Sequence, residues 1–106
     1  MKYAVIGELS FDTPAKRDTL LTNIKDKLAG KLTWGDVVVA KGLSREGKPN
    51  INAVIRFNTE ADMNEVFAFI KDRMVKVPVL KGVVSKHFCT HDSTNEPCII
   101  EEEFSK

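Results

Sequence analysis

Residues 51–57 read Ile-Asn-Ala-Val-Ile-Arg-Phe. Side chains alternate across a strand, so Ile51, Ala53, Ile55 and Phe57 share one face and Asn52, Val54 and Arg56 the other. The first face is apolar throughout and is the one to bury. Directly after it, Thr59 with Asp62 three residues on resembles a capping box, although a short Asp is a weaker partner there than Glu. Met63, Val66, Phe67, Ile70 and Met74 then fall on one helical stripe. A strand with one buried face that feeds an amphipathic helix is half of a two-layer α+β unit.

Upstream, Leu43–Asn50 contains Ser44, Gly47 and Pro49 and is expected to be the long tip of a hairpin, with Val37–Ala40 as the strand before it. Residues 3–10, Tyr-Ala-Val-Ile-Gly-Glu-Leu-Ser, have the β-branched and aromatic content of a first strand. Asp12-Thr13-Pro14 starts a helix, because Thr13 can cap and Pro14 suits the first helical position. Leu20, Leu21, Ile24 and Leu28 form its apolar stripe, and Gly30 stands where a left-handed cap ends it. Downstream, Pro78 stops the second helix. Gly82–Thr90 is expected to be the fourth strand, residues 92–97 (Asp-Ser-Thr-Asn-Glu-Pro) a turn, and Cys98–Phe104 a fifth strand.

The order β-α-β-β-α-β predicts an α+β fold, a ferredoxin-like two-layer sandwich with an extra C-terminal strand. With 106 residues the expectation is a single domain over 1–106, with 91–106 as a C-terminal hairpin or tail. Apolar residues make up 42% and charged residues 29%, the balance of an ordinary globular domain. Sixteen basic residues face fifteen acidic ones, a net charge of +1. That balance gives no electrostatic footprint for nucleic acid or an anionic membrane. No stretch has the form of a signal peptide or the length of a membrane span, so the cytoplasm is the expected location. Two cysteines are too few for the disulfide framework of a secreted module.

The other strands do not alternate as cleanly as residues 51–57. Ala4 and Ile6 oppose Tyr3, Val5, Gly7 and Leu9, and Val37 and Val39 oppose Val38 and Ala40. A sheet that is partly apolar on both sides usually has its second face covered, and both helices can sit on one side, although an open face that is merely half apolar is the plainer alternative. A second copy packing through the open sheet face supplies the rest, so a homodimer is expected. Here the chain resembles the dimeric α/β-barrel superfamily over residues 1 to about 90, in element order and in the capped helix that follows an extended first strand. The resemblance implies two sheets closing around a central cavity. That superfamily includes small monooxygenases, isomerase-like enzymes and stress-responsive proteins, so it implies no single reaction.

His87, Cys89 and His91 alternate, which would place all three on one strand face, and Cys98 follows seven residues later across the turn. These four are all the histidines and cysteines of the chain. Imidazole and thiolate suit zinc or copper, but three consecutive alternate positions of a flat strand lie too far apart for one ion without a bend. Cys89 and Cys98 can instead form a redox pair. The plainer account outweighs both: Cys89 a small buried hydrophobe, His87 a half-buried polar residue, His91 part of the turn, and no cofactor. Glu101-Glu102-Glu103 reads as a solvated end rather than a hard-metal site. Glu8 and Arg56 can meet across central strands, as a structural ion pair or as an anchor for a ligand.

Three functions compete. The first is a dimer that binds or transforms a small molecule beside the sheet, with His87 as acid or base and Arg56 or Lys41 orienting an anion. The second is a metal- or redox-responsive protein built on the His/Cys cluster. The third is an RNA-binding module of the same strand order. It is disfavoured, because Asn52 and Val54 stand where stacking aromatics are needed.

Overall fold

A computed structural model describes residues 3–30, 37–77, 79–89 and 99–106. Its elements are β1 (Tyr3–Phe11), α1 (Pro14–Leu28), β2 (Val37–Leu43), β3 (Pro49–Phe57), α2 (Glu60–Lys76), β4 (Val79–Phe88) and β5 (Ile99–Ser105). One sheet runs β2-β3-β1-β4-β5, every neighbouring pair antiparallel. Among the described residues the fold is an α+β sandwich of five strands and two helices. Its fifth strand extends the sheet beyond the four-stranded ferredoxin-like order by pairing along β4.

Both helices start as their capping residues dictate. Thr13 Oγ1 accepts from the Lys16 N–H at 3.3 Å, and Thr59 Oγ1 accepts from the Asp62 N–H at 3.2 Å. Glu60 and Asp62 lie in the first turn of α2, with Arg73 and Lys76 in its last, both favourable to the helix dipole. Helix α1 closes with the Ala29 N–H on the Lys25 carbonyl, and Gly30 follows at a φ of 79°, the conformation glycine adopts without steric cost. Both apolar stripes are buried as their spacing requires.

The core face of the sheet is the one that residues 51–57 define. Ile51, Ala53, Ile55 and Phe57 join Val5, Leu9, Val84 and both helix stripes in one buried cluster, and Val37 and Val39 pack against its edge. The even face of β1 (Ala4, Ile6, Glu8, Ser10) and Val38 and Ala40 of β2 therefore look away from the helices. Gly82 sits on the core face opposite Leu9. A Cβ there would come within 2.5 Å of Leu9 Cδ2 and 3.0 Å of Met74 Cε, so the ends of these two flexible side chains would have to shift.

Several strand boundaries differ from the sequence-based expectation. Strand β2 continues to Leu43 and β3 begins at Pro49, so the hairpin connection is short rather than long. It closes with Ser44 N–H on the Lys48 carbonyl (2.7 Å), Gly47 N–H on the Ser44 carbonyl (2.9 Å), and Gly47 at a φ of 77°. Pro49 is tolerated because it stands at the first position of its strand. Strand β4 begins at Val79, since a one-residue register shift between Ser10 and Phe11 lets Phe11 pair with Val79. It ends at Phe88. Strand β5 spans Ile99–Ser105, and Glu101–Glu103 belong to it rather than to a free tail. Glu102 reaches Lys71 Nζ at 3.3 Å and Lys86 Nζ at 3.8 Å. No helix among the described residues is long and apolar enough to cross a membrane.

Candidate functional site

The register fixes what the helix-free face carries, because directly opposed residues share a face. Val38, Val54, Ile6, Ser85 and Glu103 form one row across all five strands. The next row holds Ala40, Asn52, Glu8, Val83 and Ser105. On the other side of the first lies Arg56, Ala4, His87 and Ile100. Val38 is 60% exposed, Ile100 55%, Val83 40% and Ile6 38%, although none carries a polar group that water would satisfy.

The first two rows line an open trough of about 400 Å³, with Ile6, Val38 and Val54 along it and Glu8, Asn52 and Ser85 as its polar lining. A second hollow of about 310 Å³ adjoins it toward the hairpin tip, where Arg45, Glu46 and Lys81 surround Ser10. Glu8 and Val83 line both.

At the margin of the trough Ser85 Oγ lies 2.7 Å from His87 Nε2. The other acceptor near the hydroxyl, the Ile6 carbonyl, is 3.5 Å away. The imidazole tautomer sets the direction: the Ser85 hydroxyl donates to Nε2 when Nδ1 carries the proton, and to the Ile6 carbonyl when Nε2–H donates to Oγ. Ser85 is buried and His87 half-buried. Burial pushes the imidazole below its usual proton affinity, and the negative charge of Glu103 partly offsets this. A neutral imidazole joined to a serine hydroxyl, with a carboxylate across from that serine, can take and return a proton. Ser85 escaped the sequence reading. Its signal was the Ser-x-His spacing on a strand, which places both side chains on one face.

Of the expected ligand-binding residues, Glu8 lines the trough and Arg56 and Lys41 do not. Glu8 and Arg56 share the open face but do not meet. Arg56 is opposite Ala4, four residues from Glu8 along β1, or roughly 13 Å. Lys41 pairs with Ile51 and so belongs to the core-facing side, where its Nζ lies 3.2 Å from Asp18 Oδ1 of α1. Arg17 first and Lys41 second hold the Asp18 carboxyl below the usual carboxylate range. Cys89 is buried, follows the end of β4 instead of alternating within it, and is disulfide-bonded. In that state its sulfur offers no thiolate to zinc or copper. His91 and Cys98, the other two members of the cluster, lie outside the described residues. Among the described residues no three His, Cys, Asp or Glu side chains group as a metal site.

The open face carries no Phe, Tyr or Trp at any described position. Tyr3 and Phe88 stand on the core side with ring centroids 5.5 Å apart. No known protein family, curated protein or solved structure matches the chain.

Proposed function

We propose that the chain is a cytoplasmic homodimer, paired through its open sheet faces, that binds a small molecule in the trough that pairing encloses. The observation that carries this is the row Val38–Val54–Ile6, aliphatic side chains standing on a face that neither helix covers. Five strands about 4.8 Å apart and some seven residues long give a face of roughly 550 Å² in projection. With side-chain relief that approaches the roughly 800 Å² per partner of a standard interface. A two-fold axis through the face sets each aliphatic row against its copy. Glu8 and Asn52 then lie inside the closed trough, where a carboxylate without a donor is costly. A ligand with an apolar body and one or two hydrogen-bond donors meets both demands. His87 reaches the trough through its contact with Ser85 and serves as acid or base there, and Arg56 lies on the same face.

Small aromatic acids and amides of graded size, titrated into isotope-labelled protein, test this by chemical-shift mapping. The expected result is a cluster of shifts at Ile6, Glu8, Asn52, Val54 and Ser85. Shifts confined to the helices, or none across the panel, would contradict it.

A second reading rests on the disulfide at Cys89. A reducing cytoplasm opens such bonds, so a redox-responsive role follows if the bond forms there only under oxidation. Thiol trapping from cells before and after oxidant would show Cys89 changing state; a constant state would exclude it.

A further inference from the structure

We propose that Ser85 is a nucleophile activated by His87, which gives the trough an ester-hydrolysing activity. The inference rests on the small-molecule reading of the trough and names its substrate class, carboxylic esters with an apolar acyl group. Three observations converge on it. The Ser85 hydroxyl lies 2.7 Å from His87 Nε2, which can take its proton in the tautomer protonated at Nδ1. Ser85 lines the trough beside Ile6, so a bound group meets the nucleophile and the aliphatic row together. Glu103 stands directly across from Ser85 on β5, where its charge favours the imidazolium formed as the serine reacts. Ion pairs hold Glu102, its neighbour, on the opposite side of the strand, and none is formed by Glu103 within the described residues.

The chemistry closes without a cofactor. Ser85 Oγ bonds to the ester carbonyl carbon as its proton passes to His87 Nε2. The carbon–alkoxide bond breaks, and the imidazolium returns that proton to the leaving alcohol. Water, deprotonated by His87, then attacks the acyl-serine, which releases the carboxylic acid and restores the hydroxyl. Strand β4 is hydrogen-bonded on both sides, to β1 and to β5, so its N–H groups are spent in the sheet. Without spare donors for the oxyanion the turnover will be slow, and covalent trapping is a better readout than rate.

The test uses the full chain and an alkyl fluorophosphonate, with native mass spectrometry reporting subunit number and adducts in the same spectrum. One phosphonyl group per chain, mapped to Ser85 and absent in Ser85→Ala, is expected. His87→Gln, which keeps the volume and loses the base, should slow labelling by about 100-fold. Folding of each variant is read from far-UV circular dichroism. Hydrolysis of p-nitrophenyl butyrate should fall with the labelling in both variants. Should either variant fail to fold, the wild-type adduct decides alone: an unlabelled Ser85, or a label on another residue, overturns the proposal. Equal labelling of a folded His87→Gln variant does the same. An unlabelled dimer that still shows trough shifts with the acids and amides defeats the nucleophile and leaves the binding reading intact. An unlabelled monomer without such shifts defeats both.

Discussion

His87 is the residue whose state most depends on its surroundings. Burial favours its neutral form, so its proton affinity lies below the ordinary value near 6.5. The sign of the stability effect follows. The unfolded chain takes up the proton first as pH falls, so the stability that neutral His87 contributes is complete above about 6.5 and is lost below it. An NMR titration of the imidazole should give a midpoint under 6.5, lowered further in Glu103→Gln, where the opposing charge is gone. A midpoint at or above 6.5 in the native protein would contradict the burial of this side chain. His87 was legible from the sequence as a candidate acid or base, because its chemistry is intrinsic. Its partner Ser85 shares its face by alternation within β4, but a serine is inconspicuous until the structure shows it 2.7 Å from the imidazole. The proposed Glu8–Arg56 pairing failed for a different reason. Face follows from alternation within one strand, but the offset between two strands is set by turn geometry that the residues themselves do not spell out.

Among the elements, the helices were the most legible, because cap, stripe and stop each leave a local mark. Thr59→Ala removes the acceptor for the Asp62 N–H and should cost about 1 kcal/mol in chemical denaturation. A cost under a few tenths would show the cap to be idle. Strand ends were harder. Gly47 closes the hairpin turn as a loop glycine should, whereas Pro49, which also looks like a loop residue, begins β3. In β4 the informative residue is Gly82, which fits under Leu9 and Met74. Gly82→Ala should destabilise by about 1–3 kcal/mol through overpacking, offset in part by lost chain entropy in the unfolded state. A neutral or stabilising result would mean that the two flexible side chains move aside freely. The fifth strand is tied at its far end, where Lys106 and Gly82 exchange backbone hydrogen bonds of 2.8 and 3.1 Å. The amides of Lys106 and of residues 102–104 should therefore exchange more slowly than those of the hairpin turn at 45–46.

For the whole molecule, the decisive asymmetry is that both helices lie on one side of a sheet with aliphatic residues on two. Composition and strand pattern indicated this imbalance before any geometry was known. The structure adds which residues stand on the uncovered face: Ile6, Val38, Val83 and Ile100 all project there. Net charge is close to neutral, so self-association meets little long-range repulsion. The most direct test is sedimentation equilibrium of the native chain beside an Ile6→Asp/Val38→Asp variant. Both substitutions fall on exposed positions of the open face and leave the core cluster untouched. The expected result is a dimer at micromolar concentration that becomes a folded monomer in the variant. A native chain that stays monomeric through the same range, or a variant that dimerises as well as its parent, would contradict pairing through the open sheet face.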